Sequence, residues 1–196
     1  MTRLAIFVDG AYLEHLAQFR AIDFGALKER LANGAEVLRC YYFDALPYLP
    51  FDAHRSETTK YNRKHRLITA IRYLPRFEVR LGRVKLCGDD GKRQQKQVDC
   101  YLTAECVRLA SKGYISDAVV LAGDEDFVPP VRIMKEEGVV VHLFHGAGVA
   151  DELLAEADEH TLITTDFIDS ILRHQRLAAA NETRLALERG MAEMRK

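Results

Sequence analysis

Two aspartates two residues apart, Asp124 and Asp126, follow directly on the apolar run Ala118 to Ala122. That run reads as a buried strand, so the acids stand at its carboxyl end, where open α/β sheets bind ligands. The chain opens in the same way: Leu4 to Val8 is apolar, and Asp9-Gly10 ends it. A further acid, Asp99, begins a helix-like segment after Val98. Carboxylates arriving from separate strand and helix ends suit a hard divalent cation, Mg²⁺ or Mn²⁺. Such an ion lowers the pKa of bound water and steadies charge on phosphorus, which is the chemistry of phosphodiester hydrolysis. Each acid alone also has a structural use: Asp9 as a helix cap, Asp99 as a first-turn acid, Asp124 and Asp126 as turn formers. Taken together, the four favour the metal-site reading.

Other polar residues carry less. Glu105 lies six residues after Asp99, an offset of about 120° around an ideal helix, so it reads as a second-tier ligand or a ligand-orienting group. Tyr12 can stack on a base, touch a phosphate or pack at the core edge. Lys96, just before Asp99, is placed to hold a scissile phosphate. Arg63, Lys64, Arg66 and Arg72 can track a phosphate backbone, with Tyr61 and Tyr73 as stacking partners. His142 and His145 flank a strand end and read as structural.

The elements that must position these groups alternate in kind. After the first strand, Ala11 to Phe19 reads as helix, and Asp23 caps a second helix to Leu31 that Asn33-Gly34 stops. Glu36 to Phe43 is a strand and Leu46 to Asp52 a proline-bearing loop. Ser56 or Glu57 to Leu74 has helical spacing and ends at Pro75. Phe77, Val79 and Leu81 alternate as in a strand with one wet face. Asp89 to Gln97 is polar and reads as a mobile loop or hairpin tip. Val98 to Ala110 is helix, closed by Gly113. A helix from about Pro129 to Glu137 follows the Ala118 to Ala122 strand and its acids. Val139 to Phe144 is another buried strand, Glu152 to Ala157 a short helix, and Leu162 to Thr164 a small edge strand. Asp166 caps a last helix through Leu172. This order predicts a three-layer α/β/α domain with a mostly parallel central sheet over residues 1–165, and a helical tail over 166–196.

The chain has 196 residues, 48% hydrophobic and 29% charged, the make-up of an ordinary globular protein large enough for one α/β domain and an appendage. No apolar run approaches a membrane span, and the start has no signal-peptide layout. The four cysteines show no CxxC spacing, which fits a reducing cytoplasm. The net charge of −1 hides an asymmetry, because thirteen basic and only four acidic residues lie between His54 and Gln97. A charge run by itself usually means a solvated helix face; beside a carboxylate cluster it points to an anionic partner, most often nucleic acid. The charged tail beyond Arg173, with Leu177, Leu185, Leu187 and Met191, can pack on its own domain or make a homodimer through the C-terminal helix.

Three segments in order, Ile6-Phe7-Val8-Asp9-Gly10-Ala11-Tyr12-Leu13, then Lys96-Gln97-Val98-Asp99, then Leu121-Ala122-Gly123-Asp124-Glu125-Asp126-Phe127-Val128-Pro129, resemble the NYN domain, specifically its LabA-like branch within the PIN-like nuclease group. The resemblance spans residues 3 to about 165, and the GDxDF block is its most specific part. It implies a PIN-like parallel sheet, a Mg²⁺ or Mn²⁺ site and ribonuclease activity on RNA. It assigns Asp9, Asp99, Asp124 and Asp126 to the acidic metal site. The chain departs from the family pattern twice: Tyr12 stands where many members have asparagine, and Glu105 where many have aspartate.

The leading expectation is therefore a metal-dependent endoribonuclease leaving 5′-phosphate and 3′-hydroxyl ends. A haloacid-dehalogenase-like phosphatase has a similar layout but needs a second aspartate two residues after the first, and Ala11 occupies that place. A different class, a catalytically silent RNA-binding or regulatory protein, is the alternative that substitution of Asp124 separates from an enzyme.

Overall fold

The computed structural model describes residues 3–87, 92–96 and 98–172; for 83–87, 92–96 and 99 it describes the backbone path only. The strands are β1 (Leu4–Asp9), β2 (Val37–Ala45), β3 (Phe77–Cys87), β4 (Lys92–Lys96), β5 (Asp117–Leu121), β6 (Val140–His145) and β7 (Glu159–Leu162). The helices are α1 (Gly10–Leu16), α2 (Phe24–Ala32), α3 (Arg55–Arg72), α4 (Val98–Ser111), α5 (Val128–Glu136), α6 (Asp151–Glu156) and α7 (Thr165–Ser170). A 3-10 turn, Glu125–Phe127, precedes α5.

The strands form one sheet in the order β4-β3-β2-β1-β5-β6-β7. Six of them, β3 to β7 in space, are parallel, and β4 pairs antiparallel with β3 at the edge. Side-chain alternation sorts the core into two layers. Leu4, Ile6, Val8, Cys40 and Tyr42 face α1, α2, α3 and α7, through Leu13, Leu27, Leu31, Ile68 and Phe167. Ala5, Phe7, Tyr41 and Phe43 face α4, α5 and α6, through Leu102, Cys106, Val131, Met134 and Leu153. Each large side chain buried in these layers stabilises the fold by about 2 kcal/mol before entropy is counted. The expected three-layer architecture is the observed one.

Chain order matters for function. From β1 the chain moves outward through β2, β3 and β4, then returns to β5 on the other side of β1 and moves outward through β6 and β7. The direction reverses between β1 and β5, and a crevice opens outside the carboxyl ends of the strands at such a switch point.

Several boundaries differ from expectation. Asp23 caps α2 by accepting the Ala26 N–H at 3.0 Å, and Asn33 ends it in the left-handed region, as expected. Helix α1 is shorter than expected, because Gln18 and Phe19 adopt φ of 52° and 57°. Residues 92–96, expected in a mobile loop or hairpin tip, form β4, the antiparallel partner of β3: a Lys-Arg-Gln-Gln-Lys edge strand has no apolar alternation to betray it. Strand β7 begins at Glu159, ahead of the expected Leu162, for the same reason. The cap of α7 is Thr164, whose Oγ1 accepts the Phe167 N–H at 3.2 Å, in place of Asp166. Helix α7 buries Phe167 and Ile168 in the core, so the packed fold runs past residue 165. The tail beyond Leu172, with its expected dimer helix, lies outside the described residues. Among the described residues no helix is long and apolar enough to cross a membrane.

Candidate active site

Asp9 ends β1 and caps α1, its Oδ1 accepting the Tyr12 N–H at 3.1 Å. The helix can start at this point because residue 10 is glycine. A Cβ there would stand 2.4–2.5 Å from the Tyr42 ring and the Tyr42 and Asp44 oxygens. Asp124 leaves the adjacent strand β5 and caps the 3-10 turn, its Oδ1 accepting the Asp126 N–H at 3.3 Å. Val8 pairs with Leu121, so the two strand ends are level. Asp9 is half-buried, whereas Asp124 and Asp126 are exposed, and Phe127 anchors the turn in the core. Helix α4, with Asp99 in its first turn, packs against the same turn. The structure thus brings Asp9 and Asp124 to the switch point and sets the Asp99 helix beside Asp126. The side chains of Asp99 and Lys96 lie outside the described residues; Lys96 is the last residue of β4, opposite Arg83.

Tyr12 locks the two strand ends together. Its ring fills the space above Gly123, where a Cβ would meet two ring carbons and the hydroxyl oxygen at 2.3–2.6 Å. Its hydroxyl accepts the Gly146 N–H at 2.8 Å, just beyond β6. Burial raises the Tyr12 hydroxyl pKa, the Gly146 hydrogen bond lowers it and the nearby Asp9 charge raises it, for a net rise that keeps it neutral. Of the uses expected for Tyr12, substrate contact or a place at the core edge, the structure shows its ring and hydroxyl packed and bonded within the fold.

Lys64 requires a correction. It does not track a backbone at the surface. Its ammonium turns inward between Asp44, at 2.5 Å, and Glu14, at 2.7 Å, with only 12% of the side chain exposed. Arg63 donates to the Phe19 carbonyl at 2.7 Å. Asp44, which sequence reasoning missed, sits buried at the carboxyl end of β2 beside Asp9's strand. It accepts from the Tyr42 hydroxyl at 2.8 Å and the Ala45 N–H at 2.7 Å. The signal was present: Tyr41-Tyr42-Phe43-Asp44 repeats the apolar run ended by an acid. Burial, then the Asp44 charge, pushes the Tyr42 hydroxyl well above its ordinary pKa, so it stays a donor.

Glu105 lies on α4 facing β3. Its Oε1 accepts from Arg80 at 2.9 and 2.7 Å, and its Oε2 from Arg108 at 2.9 and 2.5 Å. Burial raises its pKa, but the two guanidiniums outweigh burial and hold the carboxyl below its usual range. Both oxygens are engaged, which fits the orienting role better than direct ligation. His142 bonds Thr161 at 2.8 Å and His145 the Gly146 carbonyl at 3.0 Å, structural uses as expected.

Among the described residues, no three His, Cys, Asp or Glu side chains stand together at metal-binding spacing. The donor chemistry nevertheless fits a hard cation: Asp9, Asp124 and Asp126 offer only oxygen, two of the three are open to solvent, and they lie at the switch point.

A stretch of 75 residues is 39% identical to the uncharacterized protein y4oD of Sinorhizobium fredii (strain NBRC 101917 / NGR234), covering 38% of this chain and 33% of that protein. The chain therefore spans about a third of that relative's length. The NYN domain matches residues 3–165, which takes in every strand of the sheet and all four aspartates. The chain belongs to the NYN domain family, within the PIN-like nuclease group.

Proposed function

We propose that this chain is a LabA-like NYN protein that hydrolyses RNA phosphodiester bonds in the cytoplasm, with Mg²⁺ or Mn²⁺ as cofactor. The observation that carries this reading is the position of Asp9 and Asp124 at the ends of adjacent parallel strands, at the switch point of the sheet. Asp9, Asp99, Asp124 and Asp126 are the residues that would hold the metal. When bound, such an ion supplies an acidified water and neutralises charge on the phosphate.

The chain's own residues do the positioning. Tyr12 fixes the start of α1 and the Gly123–Asp124 turn to each other, so the two carboxylates keep their relative place. Buried Asp44 and Lys64 brace the β2 side of the crevice. Glu105 holds Arg80 and Arg108 against Tyr41 on the α4 face of the sheet, in a charge-balanced cluster with Glu78. Lys96, two residues before α4, is assigned to the scissile phosphate.

A second reading is a silent RNA-binding protein of the same family. The observation in its favour is Glu105, which stands where many members carry aspartate and has both oxygens taken by arginines. Incubation of labelled single-stranded RNA with Mn²⁺ or Mg²⁺, beside EDTA and an Asp124→Asn control, decides between them. Metal-dependent cleavage that the variant lacks is the expected result. Binding without cleavage establishes the second reading and overturns the first.

A further inference from the structure

Loop 46–54 leaves the carboxyl end of β2, the edge of the sheet that also carries Asp9, because Asp9 pairs with Phe43 in parallel register. Its far end is fixed by a capping box: His54 Nδ1 accepts the Ser56 N–H at 3.3 Å, and Glu57 accepts the His54 N–H at 3.1 Å. Within the loop, the Pro50 carbonyl accepts the Ala53 N–H at 3.2 Å, which puts Phe51 and Asp52 at the tip of a tight turn. Phe51 is fully exposed there, at 110%. A large ring displayed on a built turn contributes nothing to the core; the turn itself carries Asp52, and the cations begin in the helix after it. Helix α3 follows at once, with Arg55, Lys60 and Arg66 exposed and with no ion pair among the described residues. Farther along, Arg63 holds the carbonyl of Phe19, a second exposed ring, at 61%.

We infer that the Phe51 turn and the outer face of α3 form a platform for an unpaired strand of RNA, with Phe51 stacking on a base and Arg55 and Arg66, which share a helix face, neutralising phosphates. The inference rests on the RNA-directed reading above and specifies its substrate as single-stranded. A duplex keeps its base faces stacked inside, so an exposed phenylalanine has nothing to stack on; an unpaired strand offers a base face and a flexible run of phosphates. Charge alone does not make this choice, because arginines on a helix neutralise either form. The ring makes it.

The test compares wild type, Phe51→Ala and Phe51→Trp by fluorescence anisotropy against a labelled RNA of about 12 nucleotides, single-stranded or annealed to its complement. Phe51→Ala is expected to weaken single-strand binding about tenfold and to leave duplex binding unchanged. The chain has no tryptophan, so Phe51→Trp reports from this turn alone; it should keep wild-type affinity and lose emission when single-stranded RNA is added. Wild-type affinity in Phe51→Ala, or a tryptophan whose emission RNA does not change, overturns the platform while leaving the RNA reading in place. Unchanged RNA affinity together with altered self-association of Phe51→Ala in light scattering assigns the turn to protein contact and likewise overturns it. A wild-type chain that binds neither RNA form removes the RNA reading and the platform together.

Discussion

The phenolic oxygen of Tyr12 accepts the backbone N–H of Gly146 at 2.8 Å across 134 positions of sequence, and the same ring occupies the space that a side chain on Gly123 would need. One residue of α1 thereby ties the carboxyl ends of β1, β5 and β6. Tyr12→Phe removes only the hydrogen bond and is expected to cost about 1 kcal/mol in urea unfolding. Gly123→Ala drives a methyl into the ring; overpacking of this kind costs about 1–3 kcal/mol, and the Asp124 turn must move to relieve it. If the strut reading holds, Gly123→Ala lowers RNA cleavage more than Tyr12→Phe does. Equal loss in the two variants would tie the activity to the hydroxyl itself.

The Asp44–Lys64 pair is the second device that shapes the crevice. The Asp44 side chain is 4% exposed and that of Lys64 12%, and the carboxylate also takes the Tyr42 hydroxyl and the Ala45 N–H. Removing one member of such a pair leaves a buried charge without its partner and costs about 3–5 kcal/mol. Lys64→Met should therefore destabilise strongly in denaturant titration. Adding Asp44→Asn to it should recover part of the loss, so that a double-mutant cycle gives a clear coupling energy. Independent, additive losses would show that Lys64 does not compensate Asp44.

Glu105 predicts a pH dependence with a defined sign. Its carboxyl is held below the ordinary value of 4.5 because the hydrogen bonds from Arg108 and Arg80 outweigh burial. A carboxyl depressed in the folded state contributes stability that is present above its unfolded pKa and is lost as pH falls through the folded one. Thermal unfolding followed from pH 7 downward should thus show a loss setting in below 4.5. Glu105→Gln should be less stable at neutral pH and show a shallower acid limb. An identical acid limb in the variant would place the titration elsewhere.

How far the sequence discloses these devices depends on how local each one is. Asp9 and Asp124 are legible because an apolar strand punctuated by an acid is a pattern of a few adjacent residues. Asp44 carries the same pattern but runs into a proline-rich loop, which draws attention from it. The inward turn of Lys64 is not legible: α3 carries Arg55, Lys60, Arg63, Lys64, Arg66 and Arg72, and only the packed helix decides which cation meets Asp44 and Glu14. Tyr12 is a strut only because residue 123 is glycine and the backbone N–H of residue 146 faces its hydroxyl, a relation that no local window contains. Strand β4 escapes because an edge strand facing water needs no apolar alternation.

Asp9 has two duties that substitution can separate. It caps α1 through the Tyr12 N–H at 3.1 Å, and in the proposed reaction it holds the metal at the switch point. Asparagine caps a helix about as well as aspartate but brings no charge, whereas alanine does neither and costs about 1 kcal/mol as a lost cap. Asp9→Asn should therefore unfold like the wild type yet cleave RNA about 100-fold more slowly or worse, since the charge stabilisation an ion supplies is several kcal/mol. Asp9→Ala should lose both stability and cleavage. Unfolding curves and single-turnover cleavage rates measured on the same preparations make the comparison. If Asp9→Asn cleaves at the wild-type rate, the aspartate is a cap alone, and the metal must be held by the acids of β5 and α4 without it.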